Sequence, residues 1–258
     1  MKITTWNVNS LAVRLPQVID WLAANPVDVL CLQELKLSDD KFPVQALQDF
    51  GYHSAFMGQK TYNGVALLSR TPARDVVKNI TGFEDEQSRV ITATFSSPLG
   101  DVRVVNGYFV NGQTPGSEKF AYKMKWLHAL RAQVQDQLAA HPRVVLLGDF
   151  NITADDRDTY DAEGLRETIH HTAEERLHFQ ALISSGLMDA FRLFDQPEKS
   201  YSWWDYREFA FRRNRGLRID HILVSSALKP HVASCTIDRL PRKNERPSDH
   251  VPVTVELI

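Results

Sequence analysis

The chain has 258 residues, 43% hydrophobic and 24% charged, with a formal net charge of −2 at pH 7. A chain of this size buries about three quarters of its unfolded surface and needs no staple to fold, while its near-neutral charge excludes polyanion binding over the whole surface and leaves a local basic patch as the route to a nucleic acid. Cys31 and Cys235 lack metal-ligand spacing, no run approaches the roughly 18 apolar residues of a membrane span, and MKITTWNVNS lacks the apolar stretch of a signal peptide, so free thiols, no membrane and a cytoplasmic protein are expected.

Ile3 to Val8 reads as a first strand that delivers Asn7 near its end. Leu15, Val18, Ile19 and Leu22 then fall at helical spacing, with Pro16 at a tolerable early position and Asn25 and Pro26 as the stop. Val27 to Leu32 is a second strand running straight into Glu34. A short helix after Pro43 and a strand over Tyr52 to Met57 follow, and Asn63-Gly64 reads as a hairpin tip before the strand VALLS. Ile91 to Phe95 and Val102 to Phe109 pair around a Ser97, Pro98, Gly100 turn, bringing Tyr108 out at a strand end. Ser117 to Ala140 is the longest helix, with Leu127, Leu130, Val134 and Leu138 on one face. It leads into Arg143 to Asn151, RVVLLGDFN, where a buried strand ends at Gly148 and presents Asp149, Phe150 and Asn151 together. The acidic stretch with Asp155, Asp156, Asp158, Asp161 and Glu163 reads as a solvated loop. A helix from Ala173 to Ser185, stopped by Gly186, then strands Arg218 to Val224 and Val232 to Asp238 and the alternating VPVTVEL complete the chain. No linker or short repeat interrupts the pattern, so residues 1–258 read as one α/β domain of sheets packed face to face and covered by helices.

GDFN alone is as compatible with a capped turn as with catalysis. The balance tips because Glu34, Asp220 and Asp249 also sit in or against apolar strands, where an unpaired carboxylate costs several kcal/mol, and together they suggest a shared counter-ion. Hard oxygen ligands such as Glu34, Asp149, Asn7 and Asn151 favour Mg²⁺ or Mn²⁺ over Zn²⁺ and suit phosphate chemistry. Asp149 is the candidate base for an attacking water, positioned by Asn151, and the adjacent Asp249 and His250 look like a carboxylate orienting an imidazole. The passage from Tyr201 to Arg218 holds six aromatics and five arginines, Arg213 among them, against two acids. Such interleaving suits a groove that grips a sugar-phosphate backbone, or alternatively a buried tryptophan with arginines on a solvated face. A second basic cluster, Arg239, Arg242, Lys243 and Arg246, precedes Asp249.

WNVNS, LQELK, YFVNG, LGDFNI, SWWDYR, GLRIDHIL and RPSDHVPV, running from residue 4 to residue 253, resemble the exonuclease III family of DNA-repair nucleases. The resemblance implies a four-layer α/β sandwich of two mostly antiparallel sheets flanked by helices, acting as a monomer on double-stranded DNA at 3′ ends and damaged sites. It implies Mg²⁺, with Mn²⁺ as substitute, held by Glu34 with Asn7, Asp149, Asn151 and Asp249 close by. Asp149 would activate water, Tyr108 and His250 would contact the scissile phosphate, Asp249 would orient His250 and Asp220 would support the same network. Trp203, Arg89, Asn111, His170 and Arg213 would contact substrate. The family's activities are 3′ to 5′ removal of nucleotides, clearing of blocked 3′ ends and incision beside abasic sites. Two positions depart from its pattern: Val110 replaces a proline, and His170 stands where abasic-site endonucleases carry a small residue, so that it is either a bulky ring that narrows the pocket and favours 3′-end processing or simply a surface histidine beside a helix N-cap. The rivals are a phosphatase acting on inositol phosphates or lipids, a full abasic-site endonuclease, and a silent nucleic-acid-binding regulator. The metal-dependent readings require Glu34 and Asp149 to lie within about 10 Å of each other.

Overall fold

In the computed structural model, which describes residues 1–258, the strands form two six-stranded sheets. The first contains β1 (Lys2–Asn7), β2 (Val29–Gln33), β3 (His53–Met57), β4 (Val65–Ser69), β11 (Val232–Ile237) and β12 (Val253–Leu257), in the order β11-β12-β1-β2-β4-β3. The second contains β5 (Arg74–Lys78), β6 (Val90–Ser97), β7 (Gly100–Tyr108), β8 (Val144–Asp149), β9 (Leu187–Asp189) and β10 (Asp220–Ser225), in the order β5-β6-β7-β8-β10-β9. Only β1–β2 and β7–β8 are parallel pairs, so the sheets are mostly antiparallel, as expected.

The near-continuous apolar runs of β2 and β8 follow from burial on both faces. Alternate residues (Ile3, Val29, Cys31, Val104, Val145, Leu147, Ile222, Val255) fill the space between the sheets. Their neighbours face outward onto helices. α1 (Leu11–Ala24) and α2 (Val44–Asp49) cover the first sheet, Val18, Leu22 and Leu47 packing with Trp6, Leu30 and Leu32. α3 (Glu118–Ala140) and α4 (Ala173–Ser184) cover the second, through Trp126, Leu130, Val134 and Phe179. The result is the four-layer sandwich. Both cysteines are buried and free, and no helix is long and apolar enough to cross a membrane.

Local chemistry explains most boundaries. Ser117 accepts the Phe120 N–H and starts α3, and Thr172 with Glu175 forms a capping box at α4. Three expectations need correction. The helix around Pro16 begins earlier, at Leu11, whose complete burial anchors a first turn that the proline would not nucleate. Asn63-Gly64 closes a longer connection, residues 58–64, because Met57 pairs with Val65. The acidic stretch is not all solvated: Asp158 is fully buried against Arg218.

Gly148 is required by geometry. Its φ is 141°, and a Cβ there would lie 1.8 Å from the Gly107 carbonyl oxygen on β7. This close approach sets Asp149 beside Tyr108.

Candidate active site

The alternation that builds the apolar core also delivers the polar groups. Tyr108, Asp149 and Asp220 are register partners on the adjacent strands β7, β8 and β10, and form a row across the end of the second sheet. Asn7 ends β1 in the first sheet, paired with Gln33. Glu34 follows Gln33 in the left-handed region, φ 54°, as does Asn151 after β8, φ 51°. Non-glycine residues held there cost of order 1 kcal/mol, a strain typical of sites whose surroundings over-determine them.

The groups converge closely. A Glu34 oxygen, an Asp149 oxygen and a His250 ring nitrogen lie within 4.8 Å of one another, well inside the separation that the sequence reading required. Asn7 Nδ2 donates to Glu34 Oε1 and to Asp149 Oδ2, each at 2.9 Å. Tyr108 donates its hydroxyl to Glu34 Oε1 at 2.9 Å, and Lys36 Nζ stands 2.9 Å from Glu34 Oε2. The Asn151 backbone N–H donates to Asp149 Oδ1 at 3.0 Å, and its Nδ2 to Phe109 O at 3.0 Å. His250 Nε2 lies 3.6 Å from Asp149 Oδ2, while Nδ1 binds Asp220 Oδ2 at 2.9 Å.

Electrostatics assigns protons. Burial raises the Asp149 carboxyl above the usual range, and the charges of Asp220 and Glu34 add to this against the opposing pull of His250. Burial opposes charge on His250, but Asp220 and then Asp149 outweigh it, so the imidazole is raised and carries its proton. Tyr108 is raised by burial and then by Glu34 and Asp149, and it remains a neutral donor. Burial and the charge of Lys123 press His170 down to about 3. Its Nδ1 donates to the Asn151 carbonyl at 2.7 Å, so Nε2 presents a lone pair.

One expected role is overturned. Asp249 does not orient His250: it accepts from Asn9 Nδ2 and Trp203 Nε1, each at 2.9 Å, and Asp220 holds the imidazole instead. His250 forms an isolated backbone bridge with Trp203, whose indole N–H takes the Asp249 carboxylate away from the imidazole. Two further expectations change in kind. Asn7 turns its NH₂ group, a donor, toward both carboxylates and gives its oxygen to the Asn9 N–H, while the Asn151 amide oxygen accepts from Asn111 Nδ2 at 3.2 Å. In these orientations both amides organise the carboxylates. Asp249 also lies outside the cluster, which leaves Glu34 and Asp149 as the anionic oxygen donors in it. Such hard oxygens fit a divalent cation of the Mg²⁺ or Mn²⁺ type.

Trp203 and His170 line one cleft of about 390 Å³, together with Arg207 and Arg215. Arg89 and Asn111 line another, of about 540 Å³, and the Arg89 guanidinium lies 4.9 Å from the Tyr108 ring centroid. Arg213 is exposed and in no ion pair, and it lines neither cleft. In the second basic cluster Arg239 stacks on Trp204 and Arg242 on Tyr206, and Arg242 is largely buried. Sequence reasoning missed Ser202, which donates to Asp220 Oδ2 at 2.6 Å, and Lys123, a buried cation donating to Asn151 O at 2.8 Å and paired with Glu175. Lys123 was visible as a charge on the apolar stripe of α3, three residues after Phe120 and four before Leu127.

The family model described as Endonuclease/Exonuclease/phosphatase family matches residues 4–250. Exodeoxyribonuclease III of Haemophilus influenzae is 36% identical over 99% of this chain and 99% of its own. The structure of the 3′ phosphatase NExo from Neisseria, bound to a product DNA hairpin, superposes with a TM-score of 0.97 at 51% identity, covering 100% of this chain and 99% of that one. An AP endonuclease from Archaeoglobus fulgidus superposes with a TM-score of 0.95 at 33% identity over the same shares.

Proposed function

The chain belongs to the endonuclease/exonuclease/phosphatase family, in its exonuclease III group, and from that premise we propose that it is a Mg²⁺-dependent DNA-repair phosphodiesterase that removes nucleotides 3′ to 5′ from duplex DNA and clears blocked 3′ ends. In this reading residues 1–258 act as one catalytic domain of a cytoplasmic monomer, and Mn²⁺ substitutes for Mg²⁺. The observation that carries it is the convergence of Glu34, Asp149 and His250 from both sheets.

Glu34 and Asp149 would hold the cation, which when bound neutralises a phosphate oxygen and eases departure of the leaving oxygen. Every other role falls to the chain. Asp149, fixed by the Asn151 N–H, takes the proton of the water that attacks phosphorus. The P–O3′ bond breaks as the P–O bond to water forms. Protonated His250, kept in one tautomer by Asp220, donates from Nε2 to the phosphoryl oxygen on which charge builds, and neutral Tyr108 is a second donor. Trp203, Arg89, Asn111 and Arg213 would contact the strand.

His170 governs the choice of substrate. Its ring lines the cleft shared with Trp203 and is tied to the Asn151 carbonyl, which supports the reading that it narrows the space for an extrahelical sugar. The likeness to an AP endonuclease favours the second reading, abasic-site incision as main activity. Three duplexes, with a plain 3′ end, a 3′-phosphate and an internal abasic site, assayed with Mg²⁺ and with chelator, separate the two. Metal-dependent release from the first two with poor incision of the third is expected, and His170→Gly is expected to raise incision. A protein inert on all three duplexes refutes the enzyme reading, and unchanged incision by His170→Gly removes the role of that ring.

A further inference from the structure

The site is built across an interface between two sheets, and something must fix their relative register at that end. Deeper in the sandwich the inner faces meet through apolar side chains such as Val29, Cys31, Val104 and Val145. Apolar contact sets a spacing but is non-directional, so it resists sliding weakly. One step below the catalytic row the character changes. On the inward positions of β1, β2 and β7, Thr5 lies one inward step below Asn7, Gln33 immediately precedes Glu34, and Asn106 lies one inward step below Tyr108.

These residues form a buried hydrogen-bonded layer that crosses the interface. Gln33 Nε2 donates to Asn106 Oδ1 at 2.7 Å and to Thr5 Oγ1 at 2.9 Å. Asn106 Nδ2 reaches from the second sheet to the backbone carbonyls of Leu32 on β2 and Ala66 on β4, each at 3.0 Å. All three side chains are fully buried. The layer is a poor device for stability: carboxamides are costly to bury, and Gln33 Oε1 has no hydrogen-bond partner. Leucine or valine would fill these positions as elsewhere on the same strands.

We propose that Gln33, Asn106 and Thr5 are positioning residues that lock the two sheets in register, and so set the spacing between Glu34 on one sheet and Asp149 on the other for a divalent cation. The inference rests on the proposed metal-dependent function but concerns how the site is assembled. Hydrogen bonds constrain direction as well as distance, and a metal site must be held to within about 0.5 Å. Because Asn106 binds the carbonyls of two neighbouring strands, it resists both sliding and rotation of one sheet over the other.

The test uses the full chain with Gln33→Met, Asn106→Leu, both together, and Thr5→Val. Mn²⁺ binding to the DNA-free protein is followed by electron paramagnetic resonance, and urea unfolding is measured without metal. Replacing both amides by apolar groups of similar shape is expected to leave the urea midpoint unchanged or raised, while Mn²⁺ affinity falls about 10- to 100-fold. The single amide variants are expected to weaken Mn²⁺ binding nearly as much as the pair, since they act as a unit, and the Mg²⁺ needed for half-maximal activity is expected to rise in parallel. Should the double variant not fold, Thr5→Val, which removes one acceptor and keeps the shape, is expected to lower affinity about two- to fivefold. Affinity within experimental error of the unaltered protein in the folded variants overturns the proposal and leaves the function standing. Absence of Mn²⁺ binding by the unaltered protein overturns both.

Discussion

At the scale of single residues the informative contrast is between Asp220 and Asp249. Both are acidic and both lie near His250, but only Asp220 touches the imidazole, and Ser202 donates to the same Oδ2 and holds it in place. Asp220→Asn removes a buried negative charge that keeps His250 protonated, and kcat is expected to fall about 10²- to 10⁴-fold with KM little changed. Asp249→Asn retains an oxygen for Trp203 Nε1, and its loss of kcat is expected to be about tenfold smaller or less. Single-turnover kinetics at saturating duplex checks both, and equal losses would contradict the assignment. The sequence could not separate the two carboxylates, because adjacency in the chain does not fix which way two side chains turn, while Asp220, thirty residues away in sequence, arrives on strand β10. The motif residues were legible; their partners were not.

At the scale of elements, strands buried on both faces announced themselves: β2 and β8 read directly as apolar runs ending in a carboxylate. The edge strands β5 and β9 did not, since RDVVK is mostly exposed and LMD is too short to show alternation. The loop after β8 was misread for a related reason. Composition marks acidic residues as solvated, whereas Asp158 is bound by Arg218 Nε at 2.7 Å, and Arg218 reaches on to Asp189 at 2.7 Å, tying that loop to β10 and β9. Burial alone would raise the Asp158 carboxyl, but the Arg218 guanidinium outweighs it and holds it at about 2. The unfolded value is near 4, so the folded state favours the ionised form. Its contribution, about 2–3 kcal/mol, is present above pH 4 and is lost as pH falls through 2. Asp158→Asn leaves Arg218 short of a counter-charge and is expected to cost about 3–5 kcal/mol at neutral pH. Urea unfolding between pH 2 and pH 7 is expected to show a flatter acid limb in the variant; an unchanged limb would mean that Asp158 is not the group responsible.

At the scale of the whole molecule, a formal charge of −2 means that a duplex is not drawn to the surface at large. Affinity has to come from cations that the fold leaves unneutralised on the side of the site. Arg207 is paired with Asp205 and Arg215 with Glu208, and Arg218, Arg239 and Arg242 are buried in an ion pair or stacked on rings. Of the five arginines between Tyr201 and Arg218, Arg212 and Arg213 are therefore the exposed ones in no ion pair. Each phosphate that such a group neutralises releases condensed counterions, so binding should weaken linearly in log–log plots against salt. Arg213→Ala is expected to weaken duplex binding in chelator at low salt by an amount independent of sequence, and to reduce the slope by about 1. Fluorescence anisotropy across a salt series measures the slope, and kcat at saturating duplex is expected to stay put because the residue lies outside the catalytic cluster. A slope that does not change with Arg213→Ala would move the strand's path off the 201–218 passage and toward the cleft lined by Arg89 and Lys119.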